Sequence, residues 1–301
     1  MTPLSSVDAS TGTQSAALRQ VIIHEDDVGM CHGANTAFLD LFRRRICSSG
    51  SVMVPCPWFP EIAAAAREDA SLDLGVHLTL TSEKQHYRWG PLTRPSTAAG
   101  LTDAHGYFWN NVGDLRRRAH PEAVEAELRA QIDRALAMGI DVTHLDAHQY
   151  AAMAPEFVAI YAQLGRDYRV PVMFPRDFSS LDYRANLGEV DLSIYPWITD
   201  QLAEAGHPLM DTLRETPWDR REDAATVYRR MLDALPAGLS FLALHFNAPG
   251  DIETIEPSSA YIRTEEYAAF GAADFAEWLA REGLQPVGFR AFRQALRTHL
   301  H

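Results

Sequence analysis

Short apolar runs rich in β-branched residues alternate with longer stretches of helical period from residue 20 to the end of the chain. QVIIHEDD, GSVMVPC, DLGVHLTL, VTHLDAH, VPVMF, LSFLALHF and QPVGFR read as strands. NTAFLDLFRRR, PEIAAAARE, PEAVEAELRAQIDRALAMG, PEFVAIYAQLGRDY, EEYAAFGAADFAEWLAREG and a terminal segment read as the helices between and after them. Asn35 is expected to cap the first helix, and residues 192–235 read as a less regular helical region. Parallel strands need such crossovers, so the pattern predicts repeated βα units in a barrel-like or doubly wound sheet.

With 301 residues and 47% apolar content, one large core suffices, and a single domain is expected over residues 19–301 after a polar leader over 1–18. The formal charge of -13 repels phosphate, which argues against nucleic-acid and anionic-membrane partners. No run of 18 apolar residues suggests a membrane span, and the leader lacks the apolar stretch of a signal peptide. Cys31, Cys47 and Cys56 include no CxxC pair, so a reducing cytoplasm is the expected compartment. Oligomeric state is left open, a homodimer included.

Asp and His gather where successive strands end: Asp26 and Asp27, His77, His148 and His245. In a parallel α/β fold the carboxyl ends of the strands form one face, and four such ends converge there. In HLDAH, the residues His144, Asp146 and His148 alternate and share a strand face. At about 3.3 Å per residue the two histidines stand roughly 13 Å apart, too far to share one ion. His148, nearer the exit, is the expected ligand, His144 a buried structural residue, and Asp146 a group that orients a ligand. The Asp26–Asp27 pair can supply one carboxylate to a cation and one as a base, or can cap the following helix. The excursion over 82–119 is rich in aromatics, Trp89 among them, which suit stacking on a sugar or merely pack the loop.

With these residues in view, the chain resembles the YdjC-like carbohydrate deacetylases, the chitooligosaccharide deacetylase family. IHEDDVG is similar to that family's opening motif, GSVMVPC to its next strand, and GVHLTL and HLDAH to its two histidine motifs. The resemblance implies a distorted (β/α) barrel, TIM-barrel-like, with catalytic loops at the carboxyl ends of parallel strands. It further implies one divalent metal ion, zinc, magnesium or another, held by Asp27, His77 and His148, with Asp26 as catalytic base and His245 as general acid. The expected reaction removes acetyl from an N-acetylated carbohydrate or related amide, with a small molecule or oligosaccharide as substrate.

The chain departs from that pattern at several points. His24 stands where the family commonly has Asn, and Gln149, Tyr150 and Ala152 replace further histidines. Met173 takes the place of a strand-end Arg, leaving Arg176 as the nearby candidate. His24, Asp146, His144, Arg176 and Trp89 are therefore carried as candidate supporting or substrate-binding residues. Two other readings stay open: a metal-dependent phosphoesterase or other amidohydrolase, and a non-catalytic sugar-binding relative.

Overall fold

The computed structural model describes residues 18–180 and 186–299. Apart from Leu18, the leader expected over 1–18 lies outside them. The first half of the chain folds as β1 (Arg19–Val28), α1 (His32–Arg43), β2 (Ser49–Val52), α2 (Phe59–Glu68), β3 (Leu74–Leu78), α3 (Val112–Arg118), α4 (Pro121–Ala137), β4 (Leu145–Ala147) and α5 (Val158–Tyr168). The second half adds α6 (Tyr195–Glu204), β5 (Thr212–Glu215), α7 (Ala224–Asp233), β6 (Gly238–Leu244), α8 (Ile252–Ile255), α9 (Ala260–Phe270), α10 (Phe275–Arg281), β7 (Leu284–Pro286) and α11 (Phe289–His299).

Every ladder is parallel, in the order β4-β3-β2-β1-β6-β5. The short β7 lies on the edge of β1 shared with β2, pairing Arg19 to Val21 while β2 takes His24 to Val28. Helices cover the outside, so β1 is buried over its last eight residues and reads as a near-continuous apolar run until its acidic end. The sheet curls into a distorted (β/α) barrel, and residues 171–176 close it. Met173 N donates to Leu145 O at 2.8 Å, and Met210 N donates to Phe174 O at 2.9 Å, joining β4 to the chain entering β5.

That closing segment is VPVMF, expected as a full strand. It is held instead by the isolated bridges Leu145↔Val172 and Pro175↔Met210. Pro171 and Pro175 bracket it, and neither has an N–H to extend a ladder. Other boundaries differ for local reasons. Asn35 does not cap α1: Asp251 accepts from His32 N (2.9 Å) and Gly33 N (3.3 Å), while Asn35 Oδ1 accepts from Gly29 N at 2.7 Å and braces the preceding turn. Residues 192–235 contain the strand β5 as well as α6 and α7. The long helix expected near the end breaks at Gly271, whose carbonyl accepts from Arg44 Nη2 at 2.8 Å.

The barrel floor is aromatic. Phe289, the first residue of α11, stacks on His144 with ring centroids 3.9 Å apart, and His24 and Phe241 pack beside them. His144 fits because β3 offers Gly75 opposite: a Cβ there would stand 2.5 Å from the imidazole. His144 is thus wedged in the core, with Nδ1 2.9 Å from Thr143 Oγ1. Cys31, Cys47 and Cys56 are buried free thiols. Among the described residues no helix is long and apolar enough to cross a membrane.

Candidate metal centre

The two adjacent acids reach the barrel mouth through an irregularity in β1. Its register against β2 shifts between Glu25 and Val28, and Asp27 sits at φ +60. A regular strand would send neighbouring side chains to opposite faces; this bulge turns both inward, at a strain cost of about 1–3 kcal/mol. Asp27 Oδ1 lies 3.6 Å from His77 Nε2 and 3.2 Å from His148 Nδ1. Ligands bound about 2.1 Å from one ion stand roughly 3.0–3.4 Å apart, so the spacing suits a shared cation after small adjustments.

Each of the three residues has its second donor atom already engaged. Asp27 Oδ2 accepts from Arg263 Nη1 at 2.9 Å. His77 Nδ1 meets Asp146 Oδ1 at 3.0 Å, and His148 Nε2 meets Glu83 Oε2 at 3.0 Å. With a cation bound, those carboxylates would keep the protons on His77 Nδ1 and His148 Nε2, and the opposite nitrogens would face it as lone pairs. Asp27 Oδ1 is buried and makes no hydrogen bond. A buried carboxylate oxygen aimed at two imidazole nitrogens, with every other donor atom taken, fits a divalent cation. Zinc, magnesium and manganese all accept such a set.

Strand register produces the support. His77 and Asp146 are direct cross-strand partners on β3 and β4, so their hydrogen bond follows from the ladder. Asp146 Oδ2 also accepts from Ser51 Oγ at 2.8 Å and stands 2.9 Å from His24 Nε2. His24 lies 3.4 Å from Asp26 Oδ1, linking the two acids from below. His148 itself leaves the strand, which ends at Ala147. Gln149 and Tyr150 follow it at φ +51 and +57.

Asp26 and His245 face each other beside this centre, with Asp26 Oδ2 3.9 Å from His245 Nε2 and 4.0 Å from His77 Nε2. Thr216 Oγ1 donates to Glu266, so it accepts from His245 Nδ1 at 2.8 Å and leaves Nε2 as the open nitrogen. Burial raises the Asp26 carboxyl well above its usual range despite His77, with Asp146 and Asp27 adding to the rise. Burial acts the same way on Asp27, but Arg263 and His148 override it and hold that carboxyl well below the ordinary value. His148 moves up to about 9: burial opposes its charge, and Glu83 and Asp27 outweigh it. His245 is held well below its usual value by burial and then Arg263, so at neutral pH it is an uncharged base.

These groups line a cavity of about 250 Å³, together with Glu83, Lys84, Gln149, Tyr150, Glu215 and Trp218. The structure brings together Asp26, Asp27, His77, His148 and His245, with Asp146 and His24 directly behind them. It does not bring in Arg176, whose Nε pairs with Asp211 at 2.8 Å on the exposed side where the chain turns out after Pro175. His144 stays in the floor. Trp89 is buried, its Nε1 donating to Thr81 O at 2.8 Å and its ring 6.2 Å from that of His148. It packs beside His148 and offers no face to the cavity, whose aromatic walls are Tyr150 and Trp218.

Sequence reading missed Glu83, Lys84, Glu215, Glu256 and Arg263. The first three obey the strand-end rule: Glu83 and Lys84 follow the β3 motif GVHLTL closely, and Glu215 ends β5. Glu256 and Arg263 left no comparable signal, since they arrive on a loop and a helix.

The chain is 33% identical over 278 residues to a carbohydrate deacetylase from Thermus thermophilus, covering 92% of this chain and 95% of the relative. It is 32% identical over 168 residues to a carbohydrate deacetylase from Brevibacillus brevis, covering 56% and 64%. The crystal structure of a candidate cellobiose-phosphate cleavage protein from Enterococcus faecalis superposes with a TM-score of 0.71 at 20% identity, over 91% of this chain and 99% of that one, a likeness of fold. The profile of the YdjC-like protein family matches residues 20–281, and the chain belongs to that family.

Proposed function

We propose that this protein is a metal-dependent hydrolase that removes the acetyl group from an N-acetylated carbohydrate. The observation that carries the reading is the convergence of three free donor atoms, Asp27 Oδ1, His77 Nε2 and His148 Nδ1, beside an acid and an uncharged histidine. The relatives named as carbohydrate deacetylases support the substrate class. When bound, a divalent cation polarises the acetyl carbonyl and makes a water acidic enough to attack at neutral pH.

Asp26 is placed to take that water's proton, and ionises more readily once a cation neutralises its acidic neighbours. His245 Nε2, an open nitrogen 3.9 Å from Asp26 Oδ2, is placed to receive that proton and hand it on to the departing nitrogen. Thr216 and Glu266 hold the imidazole in the tautomer that keeps this nitrogen open. Water and amide become acetate and free amine. A single cation suits the residues better than a pair, because both alternative donor sets rely on Asp146, whose two oxygens are already bonded to His77 and Ser51.

The test is acetate release from N-acetylated sugars by protein loaded with zinc or magnesium. Asp26→Asn is expected to retain the metal and lose turnover by roughly 10²–10⁴-fold. Full activity in that variant overturns the base assignment, and metal loading without acetate from any acetylated sugar favours a binding protein.

A further inference from the structure

Two of the proposed metal ligands are joined by a closed circuit of charged groups. Asp27 Oδ2 accepts from Arg263 Nη1 at 2.9 Å, and Arg263 Nε donates to Glu256 Oε2 at 3.0 Å. The same Glu256 oxygen receives Lys84 Nζ at 2.8 Å, and Nζ also reaches Glu83 Oε1 at 3.1 Å. Glu83 Oε2 meets His148 Nε2 at 3.0 Å, and His148 Nδ1 returns to Asp27 Oδ1 at 3.2 Å. Lys84 and Arg263 are both buried, and neither carboxylate partner is more than 18% exposed.

The circuit draws on four parts of the chain: the end of β1, His148 just beyond β4, the start of the 82–119 excursion, and the α8–α9 segment. Lys84 is the link between the last two. Its position is electrostatically costly for a cation site, because an ammonium nearby repels a divalent ion. What it provides in return is geometry: clamped between Glu83 and Glu256, it fixes the carboxylate that orients His148, while Glu256 in turn steadies the arginine that orients Asp27.

We infer that Lys84 is a positioning residue of the metal centre, a strap across the barrel mouth that fixes, through Glu83 and Glu256, where His148 and Asp27 present their donor atoms. This rests on the reading that Asp27, His77 and His148 hold a divalent cation. It also gives the excursion a role apart from covering the substrate, which is to carry the Glu83–Lys84 pair to the ligands.

Charge and geometry predict opposite signs, which makes the test sharp. Zinc is titrated into metal-free wild type, Lys84→Met and Lys84→Arg, and the unfolding temperature of each metal-free protein is recorded. If Lys84 positions the ligands, Lys84→Met weakens zinc binding by about tenfold, the lower end of the loss when a ligand's hydrogen-bond partner is removed. Lys84→Arg recovers most of that loss, with a metal-free unfolding temperature close to wild type. Zinc binding in Lys84→Met as tight as wild type or tighter means the ammonium acts only as a charge, and overturns the assignment. Should Lys84→Met fail to fold, Lys84→Gln, which keeps a donor without the charge, decides by the same criterion. Wild type that takes up no divalent cation defeats the metal reading itself, and this assignment with it.

Discussion

The two arcs of the barrel are built to different standards. From β1 through β4 the strands pair in parallel ladders with one bulge, between Glu25 and Val28, and all three proposed ligands come from the exits of those strands. From residue 170 to β5 the ring is carried by the two isolated bridges beside Pro171 and Pro175. This looser arc leads into Glu215 and Trp218, which with Gln149 and Tyr150 form the other wall of the cavity. Holding a cation needs donor atoms fixed to within about 0.5 Å, which a ladder register supplies. A wall that meets a sugar through hydroxyls and ring faces tolerates more variation, and irregular chain is sufficient there.

The largest contrast is expected in metal affinity. Asp146→Asn removes the carboxylate that the β3–β4 register places on His77 Nδ1. Zinc affinity is expected to fall by roughly 10–100-fold, or about 1.4–2.7 kcal/mol. Glu215→Gln, on the looser arc, is expected to leave zinc affinity within about twofold. Equal losses in the two variants, measured by zinc competition titration, would erase the distinction between the arcs.

A smaller effect appears in the pH dependence of stability. Glu215 is pushed up to about 7, by burial first, against hydrogen bonds from Tyr150 and Trp218 and with help from Glu266. The folded protein therefore keeps a proton that the unfolded chain releases above its ordinary value of 4.5. Stability of the metal-free protein is lost as pH rises from about 4.5 to about 7, at up to ~1.4 kcal/mol per pH unit from this group. Glu266, also raised to about 7, acts in the same direction from behind His245. Urea unfolding at pH 5, 6 and 7 is expected to show a shallower decline in Glu215→Gln than in wild type. Parallel declines in the two proteins would mean that Glu215 titrates normally.

The same division separates what the sequence made legible from what it did not. β1, β3 and β6 are apolar runs with acids or histidines at their exits, so element type and candidate ligands could be read together. VPVMF has equally good composition, yet Pro171 and Pro175 deny it a ladder. β5, TLRE, was hidden because Arg214 is exposed and Glu215 only half buried, which blurs the alternation. Arg263 and Glu256 were invisible for another reason: their partners Asp27 and Lys84 lie more than 170 residues away in sequence. Only folding brings such charges together. Trp89 and Arg176 show the converse: the aromatic make-up of its loop marked the one and the family resemblance the other, and tertiary packing turned both away from the cavity.

The smallest expected effect concerns strain, and it tests whether strain can be separated from function on each arc. Gln149 adopts φ +51 and lines the cavity on the looser wall. Glycine accepts that backbone without steric cost but loses more entropy on folding, so Gln149→Gly is expected to gain only about 0.5 kcal/mol, with a higher KM for the sugar as a wall side chain is lost. Asp27 is similarly strained at φ +60, yet Asp27→Gly leaves the buried Arg263 guanidinium without the carboxylate 2.9 Å away. Arg263 keeps Glu256, but losing one of its two buried carboxylate partners costs more than the relieved strain returns, so that variant is expected to unfold more easily as well as to lose the metal. Urea unfolding of both metal-free variants checks the pair. Stabilisation by Asp27→Gly would mean that its neighbours do not hold the carboxylate in place, and that the ladder arc is no more tightly determined than the other.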